Sequence, residues 1–432
     1  MKKLYSKIIA LAVFFPFFLH AQVFPDLEIP VSIDGEIKVN GFAGGHILID
    51  GPNSKIKNCR TGILVKPYAR HSLNHYKNVE FINDGTLIDP VTNSPLQTIA
   101  HVKIQGMTVV GNEFDNARFI NANVALATNN KGIGIHITGR RIGTTNNPLV
   151  NNCYFEALNY GLRCGNLASG TGNDIENSDF QRNEKAIYIA AGYSVEIKDN
   201  TFKLPNQVNN EDAYAIMTTQ VSQFDIRNNT IEGSKQISSG TGRPMGIITE
   251  NSNSGGGVLF NNRIGMNLKM DICIQAQGNN ENLTIRCNEL DYDGLSNVHG
   301  LTVLDYLVTF NGQILSNVPA QLRDQGHPNC INQGQQIGDD RAAAGNKWLP
   351  ACSGNDEEIL MSNGVTFKYY WHTRDKDFGF KTTPDCSDQI WNSNPNLYID
   401  CRLDEKQSSC NDLYTPPAGG GEEEEGGEED TS

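Results

Sequence analysis

Two short alternations, VEIK at 195–198 and FDIR at 224–227, each set a carboxylate and a base on either side of one apolar residue. Glu196 and Lys198 flank Ile197, and Asp225 and Arg227 flank Ile226. Residues two apart on a strand share a face, so each pair projects to one side. Brought together, the four could do acid–base work. A lysine in that role needs its pKa lowered by burial or by neighbouring charge. The plainer expectation is an ion-paired, solvated outer face, and it is preferred because exposed pairs of this kind are ordinary.

Two further sets carry chemistry. Tyr369, Tyr370 and Trp371 lie in VTFKYYWHTRDKDF and could stack on sugar rings, although such a run also suits the aromatic plug that caps a solenoid. The cap is the favoured expectation. His71 and His75 stand four apart, as helical metal ligands can, but YARHSLNHYKN has no helical pattern and reads as a loop.

The element that must position these residues is a repeat. Near-copies of one phrase recur as VEIKDNTFKL, FDIRNNTIEG, LTIRCNELDY and VLFNNRIG. Taking Phe81, Val109, Phe155, Phe180, Phe202, Ile231, Ile264 and Leu290 as anchors, an apolar residue stands five before each: Tyr76, Ile104, Val150, Ile175, Ile197, Ile226, Leu259 and Ile285. An asparagine stands two or three before seven of these eight anchors, the exception being Gly106-Met107. The anchors Val109 and Phe155 are 46 residues apart, which suggests two coils with one degenerate copy between them. After each corner comes a small residue and then an alternating apolar stretch, as in GIGIHI, YGLRC, KAIYIA, YAIM, MGIIT, DICIQ and HGLTV. That alternation is the period of a strand with one buried face.

The rival is a leucine-rich repeat, and three observations count against it: the Leu expected three residues before Leu283 and Val195 is absent, the spacing is uneven, and the second element reads as strand. The pattern predicts a parallel β-helix, each coil burying its apolar face against its neighbours. The irregular lengths then have one address, the corner between anchor and second strand, where KLPNQVNNED and EGSKQISSGTGRP project. Asparagine suits the other corner because it tolerates left-handed backbone and can hydrogen-bond the equivalent amide one coil away. In this frame Asp174, Glu196, Asp225 and Thr284 form one outward ladder, and Glu176, Lys198, Arg227 and Arg286 the next.

The opening residues MKKLYSKIIALAVFFPFFLHAQ have the lysines and short apolar run of a secretory signal peptide, and no later stretch has the length of a membrane helix. Residues 1–21 are therefore expected to be the signal peptide, 22–40 an entry cap, 41–318 the β-helix, 319–414 a C-terminal cap with final coils, and 415–432 a disordered acidic tail. Ten cysteines fit an oxidising compartment. Cys330, Cys352, Cys386, Cys401 and Cys410 fall late without C-x-x-C spacing and suggest disulfides, whereas Cys59, Cys153, Cys164, Cys273 and Cys287 lie within repeats as small buried residues. The net charge is -14, and the tail GGGEEEEGGEED supplies acids without a base. An acidic body argues against nucleic acid as a partner, since that affinity comes from Lys and Arg at phosphates, and it argues equally against unaided binding of polyanions.

The NNTF-like corners, the AQ that ends the leader, and the AGNKW and TFKYYWH segments resemble the secreted right-handed β-helix repeat, or pectin-lyase-like, proteins of the Bacteroidota. The similarity spans about residues 40 to 380. It implies an all-β, right-handed parallel β-helix with a cysteine-containing C-terminal cap, exported to the cell surface, the medium or the periplasm. Polysaccharide lyases of this fold place carboxylates, often with calcium, beside a Lys or Arg that removes a proton next to a uronate carboxyl. On that model Glu196, Lys198, Asp225 and Arg227 are the lyase-like candidates. Hydrolases of the fold carry N-T-D, an Asp pair and G-H-G in successive coils; here Asp339-Asp340 lies beyond the recognisable repeats and Gly44-Gly45-His46 is a partial echo. The favoured expectation is a noncatalytic module that binds glycans or serves structurally, with a lyase acting on an acidic polysaccharide and an adhesive stalk as alternatives.

Overall fold

The structure, a computed structural model, describes residues 32–34, 37–39 and, apart from corner segments, most of 47–322, then 346–349, 357–361, 369–371 and 398–400. Among these there is no helix, and so none long and apolar enough to cross a membrane. The chain forms a parallel β-solenoid. One sheet of eleven strands runs in chain order from Ile37–Val39 to Glu357–Met361, each strand paired with the strand of the coil before and after. A second sheet, of eighteen strands, carries both arms around the asparagine corner.

Register explains the repeated phrase. Ile175, Ile197, Ile226, Leu259 and Ile285 are successive partners on one arm, and Phe180, Phe202, Ile231, Ile264 and Leu290 on the other. All are buried. Rings at the anchor position stack coil on coil, with centres 5.0 Å apart for Phe81–Phe119, 4.8 Å for Phe119–Phe155, 4.6 Å for Phe155–Phe180 and 4.9 Å for Phe180–Phe202. That is the spacing of neighbouring strands, so the aromatic column costs the sheet no distortion.

The two asparagine positions of the corner do different work. The residue three before each anchor has a left-handed backbone: Asn78, Asn116, Asn152, Asn177, Asp199, Asn228, Asn261 and Cys287 have φ between 50° and 57°. The residue two before points inward. There Asn200, Asn229, Asn262, Asn288 and then Asn346 form a buried amide ladder, the side-chain oxygen of each one after Asn200 accepting from the backbone and side-chain N–H of the asparagine one coil earlier at 2.9–3.1 Å.

The small residue that opens each second strand also has a cause. It lies against the anchor column: a Cβ on Gly161 would stand 2.7 Å from the Ala186 carbonyl oxygen and 2.9 Å from the Phe180 ring. Four of the repeat cysteines, Cys59, Cys153, Cys164 and Cys273, are buried and in no disulfide, whereas Cys287, expected as one more such residue, is disulfide-bonded. The five late cysteines lie outside the described residues.

One expected copy is overturned. Val109 is no anchor; Val109–Val110 pairs with Arg141–Ile142 in a small separate sheet, and Ile104 lies in the eleven-stranded sheet between Val65 and Ile137. The true coil is Phe114 with Phe119, whose partners are Tyr76 and Val150, and Phe81 and Phe155. Its phrase, FDNARF, keeps the five-residue spacing and the corner asparagine; long corner insertions on either side disguised it. No degenerate copy is missing. Beyond residue 318 the sheets continue: Lys347–Leu349 pairs with Glu289–Asp291, and Glu357–Met361 with His299–Leu304.

Candidate functional site

Glu196, Lys198, Asp225 and Arg227 do come together. Strands Tyr193–Lys198 and Ser222–Arg227 pair in register, Glu196 beside Asp225 and Lys198 beside Arg227, and Glu176 precedes Lys198 on the same row. The charges close on one another. Lys198 Nζ lies 3.1 Å from Glu176 Oε2 and 3.0 Å from Glu196 Oε2; Arg227 pairs with Glu196 and sits 3.6 Å from Asp225 Oδ2.

The electrostatics of this cluster run against a lysine base. Burial by itself would lower the Lys198 pKa, but hydrogen bonds to Glu196 and Glu176 and the charge of both carboxylates outweigh it and hold the ammonium charged. Burial pushes the Asp225 carboxyl up to about 7, with Glu196 adding to the rise and Arg227 and Lys198 opposing it. A metal ion fits poorly here, because ammonium and guanidinium already occupy the space between the carboxylates. Among the described residues no three His, Cys, Asp or Glu side chains converge on a metal-sized site. The outward rows also change character beyond Arg227, where the partners of Asp225 and Arg227 are Val258 and Phe260.

Tyr369–Trp371 forms a strand paired in parallel with Tyr398–Asp400; its side chains lie outside the described residues. His75, expected in a loop, stands in strand Asn74–Asn83, and His71 lies outside the described residues.

The outer face of the eleven-stranded sheet holds a set that the sequence reading did not single out. Lys103, His136, Arg163 and Tyr188 follow one another in register, and beside them runs Tyr160, Lys185 and Tyr214. The Arg163 guanidinium is exposed and lies 5.1 Å from the Tyr160 ring centre and 5.9 Å from that of Tyr188, while Lys185 Nζ is 5.3 Å from Tyr160. The Tyr160 and Tyr188 rings meet edge to face at 6.2 Å. Lys185 also pairs with Glu211 at 3.2 Å, but Arg163 and Lys103 have no carboxylate partner among the described residues. Burial first, then the charges of Arg163 and Lys103, push His136 down to about 4, so the positive field of this face is felt by its own histidine. Toward later coils the strip runs into a packed group of Tyr214, Met245, Ile248 and Ile272. The signal was present in YGLRC and KAIYIA, whose outward residues are Arg163 and Tyr188, but their juxtaposition needs the register between coils.

A cavity of about 340 Å³ lies elsewhere, on the eighteen-stranded sheet beside His75, Lys77, Glu113 and Asp115. No family model, no curated protein and no solved structure matches this chain.

Proposed function

We propose that the chain is a secreted, right-handed β-helix of pectin-lyase-like type that acts as a noncatalytic binding module for an acidic polysaccharide. The observation that carries this is Arg163 held over two tyrosine rings on a face where neither it nor Lys103 has a carboxylate partner among the described residues. Aromatic faces take the C–H side of a sugar ring, and guanidinium pairs in bidentate fashion with carboxylate or sulfate. A row repeating at the strand spacing suits an extended chain of repeating units. The Glu196–Arg227 cluster supports binding over elimination in a different way: its charges are satisfied internally and its lysine is held protonated.

The lyase alternative draws on Asp225, whose carboxyl titrates near neutrality, the range expected of a general acid or base. One experiment separates the two. The protein is passed over immobilised polygalacturonate, alginate and a neutral glucan, with and without calcium, while ultraviolet absorbance follows unsaturated sugar ends. Retention on the acidic polymers without product is expected, and Arg163→Ala should weaken it about tenfold, the loss of one charge-assisted contact. Unsaturated product that disappears in Lys198→Ala would establish the lyase. No retention on any polymer would leave the structural stalk.

A further inference from the structure

Lys131 and Glu184 form an ion pair largely out of water: their side chains are 11% and 4% exposed, and Lys131 Nζ donates to Glu184 Oε1. The pair skips a coil. Lys131 stands two residues before strand Ile133–Ile137 and Glu184 one before strand Lys185–Ala190, and Tyr160–Gly165, lying between, pairs with both. Parallel strands are about 4.8 Å apart, so the two side chains together span about 10 Å. On the coil they cross, Leu158 is turned into the core and the next residue is Asn159. The Asn159 N–H donates to the Gly132 carbonyl at 2.8 Å, and the Asn159 carbonyl accepts from the Lys185 N–H at 2.9 Å, which sets this residue between the two partners. Asn159 and Glu184 also hold equivalent places, each just before the first residue of its strand, so their side chains leave the backbone one above the other.

Asn159 Oδ1 is buried and has no hydrogen-bond partner among the described residues, a condition that asks for a reason. Its neighbours supply one. A lysine amine is a nucleophile once it has given up a proton, and a carboxylate already hydrogen-bonded to it takes that proton without an outside base. The carboxyl so formed has an O–H to give to Oδ1, which polarises the amide carbon toward attack. Amine, amide and proton carrier are held in one place by the backbone ladder, and groups so held react at effective concentrations of about 10⁵ M or more.

We propose that Lys131 and Asn159 join in a self-formed isopeptide bond, with Glu184 carrying the protons. Nζ passes one proton to Glu184 along the existing hydrogen bond, and its lone pair forms the bond to Asn159 Cγ. A second Nζ proton moves to Nδ2 through the Glu184 carboxyl, the Cγ–Nδ2 bond breaks, and ammonia leaves. Ammonium, amide and carboxylate thus become a secondary amide, free ammonia and a neutral carboxyl, and nothing is oxidised or reduced. The exchange removes an ion pair from a site poor in water and leaves two neutral groups, the Glu184 O–H donating to the new amide carbonyl. The bond ties together the coils that carry His136 and Arg163, and it forms whether or not that face binds a polymer.

The test is tandem mass spectrometry of a tryptic digest of the full chain, purified folded and then reduced. A bonded Lys131 escapes cleavage, so peptides 119–140 and 142–163 are expected as one cross-linked species, lighter than their sum by one ammonia. The bond is placed on the fragment ions, because asparagine and N-terminal glutamine also lose ammonia by other routes. Lys131→Met and Glu184→Gln should each abolish the species, whereas Lys185→Met, which removes a lysine paired with Glu211, should leave it. Circular dichroism checks that each variant is folded, and the result on the parent chain stands without either of them. Separate peptides with cleavage after Lys131 in the parent chain overturn the proposal. So does a cross-link that persists in Glu184→Gln, or one from Lys131 to Glu184 itself, which loses water in place of ammonia.

Discussion

Asn229 and Asn228 are neighbours in sequence and should respond oppositely to substitution. The Asn229 amide is buried and makes four side-chain hydrogen bonds. Nδ2 donates to the Ile197 carbonyl at 2.8 Å and to Asn262 Oδ1 at 3.0 Å, and Oδ1 accepts from the backbone and side-chain N–H of Asn200, both at 3.0 Å. Asn229→Ala strands the Asn200 backbone N–H in the interior and removes one donor or acceptor from three other buried groups. An orphaned buried donor costs about 1–3 kcal/mol and each net hydrogen bond about 1 kcal/mol, so a loss of about 3–5 kcal/mol is expected. Asn228 has φ 56° and makes one exposed contact, accepting from Asn261 Nδ2 at 2.9 Å. Asn228→Gly keeps the left-handed corner accessible and should shift stability by no more than about 0.5 kcal/mol. The assay is the urea midpoint with the m-value compared between variants. Amide hydrogen exchange resolved by coil would accompany it, since a stacked array can unfold in parts. Equal midpoints for the two variants would refute the reasoning. The asparagines would then repeat only for their backbone conformation, and the inward amide ladder would contribute nothing measurable.

Three other outcomes are expected. Gly161→Val should destabilise by at least about 2 kcal/mol through overpacking, because its Cβ meets the Ala186 carbonyl and the Phe180 ring, whereas Gly165→Val, which faces open space, should fall within about 0.5 kcal/mol of the parent. His101 is fully buried, and burial pushes its imidazole down to about 4 from 6.5. The folded state therefore binds fewer protons than the unfolded between those values, and stability present above pH 6.5 is lost as pH falls toward 4, by about 3 kcal/mol. Asp225, raised to about 7, acts with the opposite sign and loses stability as pH rises through that value, so denaturation of His101→Leu against pH should show a flattened acid limb with the Asp225 limb retained. Finally, Lys198→Ala should cost about 1 kcal/mol in thermal or urea denaturation yet leave polysaccharide retention unchanged, and a matching loss of retention would return the Glu196–Arg227 cluster to the binding site.

How far the sequence could be read follows from what a stacked fold repeats. Each coil meets the same interior, so Ile197 and Ile226, or Phe180 and Phe202, occupy identical environments and the phrase recurs with its five-residue spacing. The parallel, all-β stack was legible for that reason. The Val109 coil failed because Ile104 and Val109 copy the spacing by chance, while the authentic FDNARF phrase is offset by insertions that no interior constrains. The difference between the two corner positions was also hidden: both accept asparagine, and only backbone geometry separates the left-handed Asn228 from the inward Asn229.

Outward faces obey a weaker rule, and this governs where function is to be sought. Alternation says which residues leave the core, but not which neighbours one coil away they meet. The sequence placed Glu196, Lys198, Asp225 and Arg227 on one surface, and register then spent their charges on each other and on Glu176. Register did the reverse at Arg163, setting it over tyrosines of its own and the next coil without giving it a carboxylate among the described residues. A charge satisfied within the protein must break a pair to engage a ligand, whereas an exposed guanidinium over aromatic rings gives up only water. That asymmetry, more than the number of charged residues on either sheet, is why the eleven-stranded face is the better candidate for recognising an anionic chain.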